Sequence, residues 1–363
     1  MKNSRSGSTT AKPSAAESLS SGFLHSWTDF WFAPVPPIGL HSLRLLSCLL
    51  FLMWLVTLVG HQEAFFGWGG WVNQQIYNES VRAAGGAISQ SDWSLWSLLY
   101  LFEPNSIWVN AAYWAAIVVF VLLGLGLWTR LTSVITWVLV VSFQANPITR
   151  QDADPLLVIL AFYLMIGYVL LGQWNKRLSW PERILGSKQT WLFGRVEQPA
   201  SIGANLAIRL LQVHFALVVV VSALHKLQIG DWWSGVAFWY PLHPPFQTTF
   251  ESVQAEGAHA QSTLFFLSLV QYLMLAWQFG FPFFAWRRAW RPVLLGGALI
   301  GWIGCLSIYK QPLFGPIYCL GALSYLTPAE WLAIRDKLRL AAAWTFGRKP
   351  VPPASVLKQA SKA

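Results

Sequence analysis

The sequence predicts an all-α, polytopic integral membrane helix bundle of about eight transmembrane helices, and three observations carry that prediction. Over 363 residues, 55% are hydrophobic and only 11% charged, with a mean hydropathy of +0.45, a composition far from that of soluble domains. Several apolar runs each reach the roughly 20 residues that a helix needs to cross about 30 Å of hydrocarbon, and none alternates in the ten-residue pattern of an outer-membrane barrel. Basic residues, finally, fall on alternate connections between those runs, as topology by charge requires.

Taken in order, residues 1–29 read as a disordered tail, rich in Ser, Thr, Ala and Lys and without the apolar stretch and cleavage pattern of a signal peptide. One transmembrane domain follows over 30–330. Its eight candidate spans are 41–59, 106–128, 131–149, 155–172, 204–225, 262–286, 292–310 and 313–330. Gln144 and Pro147 interrupt the third and Pro316 the eighth, which membrane helices tolerate. Residues 331–363 read as a basic cytoplasmic tail.

With both termini cytoplasmic, 19 of the 25 Lys and Arg lie on the cytoplasmic side. Only Arg82, Arg150, Lys226 and Lys310 lie opposite, while Arg44 and Arg209 sit inside spans near their cytoplasmic ends. Acidic residues lean outward, 9 of 15, so the net charge of +10 belongs to the cytoplasmic face. Such a face suits anionic lipid and gives no case for nucleic acid.

Two outer loops are long. The first, 60–105, carries Phe65, Phe66, Trp68, Trp71, Trp93 and Trp96 and glycine turns at Gly69-Gly70 and Gly85-Gly86; the second, 226–261, carries Pro241, Pro244 and Pro245. Aromatic loops of this kind lie in the interface, and they are expected to cap the outer face. Cys48, Cys305 and Cys319 all fall inside spans, so they read as packing residues, with no disulfide framework and no metal-ligand spacing. Gly297, Gly301 and Gly304 read as close-packing positions. Phosphate-binding loops, zinc-protease and nucleophile-elbow signatures are absent.

The informative stretch is the apolar run 204–224, which ends in His225-Lys226 and continues into Asp231-Trp232-Trp233-Ser234-Gly235. Helical stepping puts Gln212, Phe215, Val219, Ser222 and Lys226 on one face, with His214 and His225 on a neighbouring stripe. A face that gathers amide, hydroxyl and amine is directed to a bundle interior or cavity. Lys226 can then be a snorkelling amine at a helix end or a base in an aromatic pocket. An amine kept from water gives up its proton more readily than a solvated one, and can serve as a base near neutral pH. Gln144, Asn146, Arg150, Asp152 and Asp154 form a second polar patch, in which Asp154 before Pro155 is either a helix N-cap or part of a polar wall opposite Lys226. Arg130, after Gly124-Leu125-Gly126-Leu127-Trp128-Thr129, reads as a positive-inside anchor.

The run Ser222-Ala223-Leu224-His225-Lys226-Leu227, with Asp231-Trp232 and Gly235 after it, resembles the HTTM family of vitamin K-dependent gamma-carboxylase-like membrane domains. The Gly126 to Thr129-Arg130 turn, the Asn146 to Asp154 segment and the basic stretch 174–180 are similar too, and the resemblance extends over about 30–326. It implies that Lys226 is the catalytic base and that a reduced quinone of the vitamin K type is co-substrate, reacting with oxygen on the outer face. His225, Ser222, Asp231, Trp232, Gly235, Asp154 and Asn146 are then expected around the substrate. In place of the large extramembrane domain of the family's carboxylases, only a short basic segment follows, and His225 stands where a second lysine is expected. The match is to a short bacterial-type member in the cell inner membrane, with a peptide or protein substrate as partner. The alternative is a non-catalytic membrane accessory or a peptide-maturation or export factor.

Overall fold

The computed structural model describes residues 15–67, 69–84, 96–100, 106–149, 154–171, 184–185, 199–243 and 249–345. Trp68, the Gly85-Gly86 turn, Trp93, Arg150, Asp152, the basic stretch 174–180, Pro244, Pro245 and the chain ends 1–14 and 346–363 lie outside the described residues. Among the described residues the chain is all-helical, its only extended pairing being an isolated antiparallel bridge between Val35 and Ser201.

In order the helices are α1 (Ala15–Phe32), α2 (Ile38–Val56), α3 (Gln62–Phe66), α4 (Gln74–Ala84), α5 (Ser106–Leu125), α6 (Thr129–Gln144) and α7 (Asp154–Leu170). There follow α8 (Ile202–Leu227), α9 (Gly230–Ser234), α10 (Trp239–Leu242), α11 (Phe250–Glu256), α12 (Ala258–Phe284), α13 (Arg291–Tyr309), α14 (Phe314–Leu323) and α15 (Pro328–Thr345). Successive long helices pack side by side, α2 on α5, α5 on α6, α6 on α7, α7 on α8, α8 on α12 and α12 on α13. Helix α14 closes the bundle against α2, α7, α8 and α13. Alternating direction gives two ends: Lys226 and residues 57–67 and 69–84 lie at one, Arg209 and the α12–α13 turn at the other.

Each of the eight apolar segments overlaps one of these helices, but among the described residues only α2, α8, 107–125 of α5, 259–284 of α12 and α13 are long and apolar enough to cross a membrane. Helix α14 has 10 residues, about 15 Å at helical rise. The expected eighth span stops there because a new helix starts at Pro328. Thr327 caps it: Glu330 Oε2 accepts from the Thr327 N–H at 2.7 Å and from its hydroxyl at 2.8 Å, while Thr327 Oγ1 accepts from the Glu330 N–H at 3.4 Å. This is a capping box with proline at the first helical position. Helix α6 falls short in hydropathy because it buries Thr132, Ser133, Thr136, Ser142 and Gln144 on its inner face.

Helix α2 is the central post, with 72% of its apolar window buried, while α13 is peripheral at 11%. The centre is not purely apolar. Arg44 is fully buried and donates to the Tyr168 hydroxyl at 3.2 Å, which also bonds His41 Nδ1 at 2.7 Å. Arg130 is buried too, and donates to the carbonyls of Tyr168 and Leu171 at the end of α7, so it caps that helix as well as carrying charge. The α5–α6 turn that delivers it needs Gly126 at φ 80°, a conformation costly for other residues.

Three expectations are corrected. Residues 15–29, read as tail, lie in α1, which Asn205 Nδ2 ties to α8 through the carbonyls of Phe30 and Trp31, both at 3.1 Å. Residues 331–345, also read as tail, lie in α15, which packs on α2 and buries Trp331. Of the three glycines read as packing positions, only Gly297 meets a neighbour, the Trp277 indole; Gly301 and Gly304 face open space.

Candidate functional site

Helix α8 starts where Ser201 Oγ accepts from the Ala204 N–H, and its inner face carries Gln212, Phe215, Val219 and Ala223, all buried. That face ends at Lys226. The amine donates to Ser222 Oγ at 2.7 Å, one turn back, and stands 5.4 Å from the Trp232 ring centroid. Lys226 and Ser222 are half-buried. Among the described residues no carboxylate lies within ion-pair distance of the amine.

The loop after α8 is strapped to α12 so that Trp232 stays over the amine. Gln271, fully buried, donates to Trp232 O at 2.7 Å and Asp231 O at 3.3 Å and accepts from the Ala237 N–H at 2.9 Å. Ser268 donates to Gly235 O and Tyr272 to Trp233 O, both at 2.7 Å. Gly235 ends α9 at φ 83° with Ser268 against it, so this position has neither the backbone freedom nor the space for a side chain. Trp232 packs edge-on against Phe238, with Leu267 and Leu275 of α12 beneath them.

Sequence reading did not find three further members, all on other helices. Gln278 of α12 is buried, donates to Ser222 Oγ at 3.5 Å, and has an amide oxygen with no hydrogen-bond partner. Tyr318 of α14 lies close enough to Ser222 to interact with it. Cys305 of α13, read as packing, lies within electrostatic reach of the Lys226 amine. A signal existed for Gln278: with Gln271 it forms a seven-residue repeat of amides in an apolar span, and polar groups there face the interior.

The remaining expected residues are not gathered here. His225 is exposed, and Asp231 is half-buried with no ion pair among the described residues. Gln212 shares the face of Lys226 but lies several turns away, where it donates to Ser324 O at 2.7 Å. Asn146 is fully buried and fully employed: Nδ2 donates to Phe65 O at 2.8 Å and the Tyr100 hydroxyl at 3.2 Å, while Oδ1 accepts from the Ile148 N–H at 2.9 Å. It fastens Phe65 and Tyr100 to the end of α6. Tyr77 stacks on Tyr100 at 4.3 Å, and burial pushes the Tyr77 phenol up to about 12 and the Tyr100 phenol higher still, so both stay protonated donors. Asp154 is buried at the start of α7, before Pro155, at the Lys226 end of the bundle.

His214, on the neighbouring stripe of α8, bonds the Tyr163 hydroxyl at 2.9 Å and lines a small apolar cavity with Leu160, Leu211, Phe215, Val218 and Ile317. Among the described residues no three His, Cys, Asp or Glu converge as metal ligands would. No protein-family model matches the chain, and neither a curated protein nor a solved structure does so.

Proposed function

We propose that this chain is an eight-span inner-membrane protein with both termini cytoplasmic, and that it acts as a quinol-dependent enzyme of the HTTM type with Lys226 as its base. The basic residues of alternate connections support the orientation. Helices α6 and α7, of 16 and 17 residues, are about 24–26 Å long, within reach of a locally thinned bilayer. Residues 310–327 return the chain to the α15 side, with α14 as their middle, and α14 is packed among α2, α7, α8 and α13.

The observation that carries the catalytic reading is the setting of the Lys226 amine. It is held by one hydroxyl at 2.7 Å, beneath an indole, with no carboxylate partner among the described residues. Such an amine exchanges a proton without breaking an ion pair. Ser222 Oγ orients it, and Trp232 shields it from water. The residues present fit a quinol: an aromatic face, an amine and the unpartnered Gln278 Oε1, which can accept from a hydroxyl. When bound, a reduced naphthoquinone supplies the reducing equivalents that, with O2, give its 2,3-epoxide and water.

The test is to incubate the purified protein with a reduced naphthoquinone and oxygen and to quantify epoxide. Lys226→Ala is expected to lower its formation by about 100-fold or more, as removal of a general base does. A folded wild-type protein that forms no more epoxide than Lys226→Ala would overturn the reading, leaving Lys226 as a structural cation in a membrane accessory of peptide maturation or export.

A further inference from the structure

The opposite end of α8 carries a second cation whose surroundings no proposed chemistry uses. Arg209 lies seven residues after Ile202, about 10 Å along the helix, which is headgroup depth if the helix end marks the membrane surface. Its guanidinium covers the Phe30 ring at 4.5 Å and the Trp286 ring at 5.6 Å. Trp27 and Trp31 pack on Phe30, as an interfacial aromatic belt would.

Charge there is out of balance. Among the described residues the one hydrogen bond of the Arg209 side chain runs from Nη1 to the neutral Gln212 Oε1 at 3.0 Å. Its Nε is buried without a partner among the described residues, and the side chain as a whole is half-buried. Glu330, the carboxylate nearby, is already engaged by Arg291 at 2.8 Å and by the exposed Arg288 at 3.9 Å. Arg291 also donates to the Trp286 backbone carbonyl at 3.2 Å, and the indole of the same residue lies against Arg209, so Trp286 adjoins both guanidiniums. Arg291 and Arg288 thus take up Glu330, and at the edge of the hydrocarbon, where unbalanced charge is costly, Arg209 has no carboxylate partner among the described residues.

We propose that Arg209, with Arg291 and Arg288 beside it, forms a phosphate-binding site that takes the headgroup of an anionic phospholipid. A planar guanidinium fork matches phosphate oxygens, and basic pockets between helices at this depth hold acidic headgroups. The site does not depend on the reading of Lys226, which lies at the other end of the bundle.

Native mass spectrometry of the full chain in detergent tests this, with phosphatidylglycerol, phosphatidylcholine of the same acyl chains, and inorganic phosphate as three separate ligands. One phosphatidylglycerol is expected to be retained at least about tenfold more tightly than phosphatidylcholine. Arg209→Gln should weaken it about tenfold, the loss of a charge-assisted hydrogen bond, while Lys337→Gln, at an exposed cation of α15, leaves it unchanged. Should Arg209→Gln fail to fold, Arg209→Lys keeps the charge without the fork and is expected to bind more weakly than wild type. Equal retention of the two lipids, or equal losses in Arg209→Gln and Lys337→Gln, overturns the site. Free phosphate binding as tightly as the lipid overturns the lipid as its source.

Discussion

Helix α8 holds a cation against an indole near each end, and the two ends differ in everything else. At one, Lys226 bonds a hydroxyl and has an unpartnered amide oxygen close by. At the other, Arg209 bonds a neutral amide beside two further guanidiniums and a shared carboxylate. Contact with an aromatic face therefore does not define what a membrane cation is for. An ammonium can release its proton when desolvated, whereas a guanidinium stays charged and offers a flat fork. One end is suited to proton transfer and the other to holding an anion.

Exchanging the cation breaks this contrast most directly. Lys226→Arg keeps the charge and the contact with Trp232 but removes the base, so epoxide formation is expected to fall by about 100-fold or more, to the level of Lys226→Ala. Melting followed by tryptophan fluorescence should move little, because volume and charge are nearly kept. Activity within a few fold of wild type would show that charge alone is needed at this position and would erase the distinction between the two ends.

The next largest effect is expected from the strap that holds Trp232. Gln271→Leu leaves the carbonyls of Asp231 and Trp232 and the Ala237 N–H without their amide partner. Buried polar groups left unpaired cost about 1–3 kcal/mol each, so a total near 3 kcal/mol is expected. The loop should loosen before the bundle melts, seen as faster amide hydrogen exchange over 229–237 with the 202–220 part of α8 still protected. Unchanged exchange in the loop would mean that Ser268 and Tyr272 suffice to hold it.

How legible all this was in the sequence depends on distance along the chain. The helical segments could be read because a run of apolar residues specifies a helix locally, and Ser222 could be paired with Lys226 because four residues make one turn. The partners supplied by α12, α13 and α14 could not be paired that way. Gln278, Cys305 and Tyr318 come near Ser222 and Lys226 only through the packing of helices, and in a membrane the inner and outer faces of a helix are both apolar, so periodicity does not tell which way a face turns. Asn146 shows the converse: a polar residue expected around the substrate makes its bonds to Phe65, Tyr100 and Ile148, and spacing along the chain does not reveal the first two. The α14–α15 boundary was missed although Thr327-Pro328-Ala329-Glu330 spells a capping box, because hydropathy ran on past it.

That capping box gives the smallest expected effect and sharpens the description of the Arg209 end. Burial alone would raise the Glu330 carboxyl, but the Thr327 N–H and hydroxyl and the Arg291 guanidinium outweigh it and hold the group below the ordinary glutamate range. A carboxylate held down in the folded state adds stability that is fully present above the ordinary value of 4.5 and is lost as pH falls through the lowered one. Glu330→Gln is therefore expected to cost about 1 kcal/mol near neutral pH, the usual scale for a lost cap, read as a lower melting temperature. The difference from wild type should hold steady down to about pH 5 and close as the solution is acidified further. A gap that widens in acid, or none at pH 7, would mean that neither the box nor the Arg291 pair stabilises the start of α15, and that α15 is held there by its packing on α2 alone.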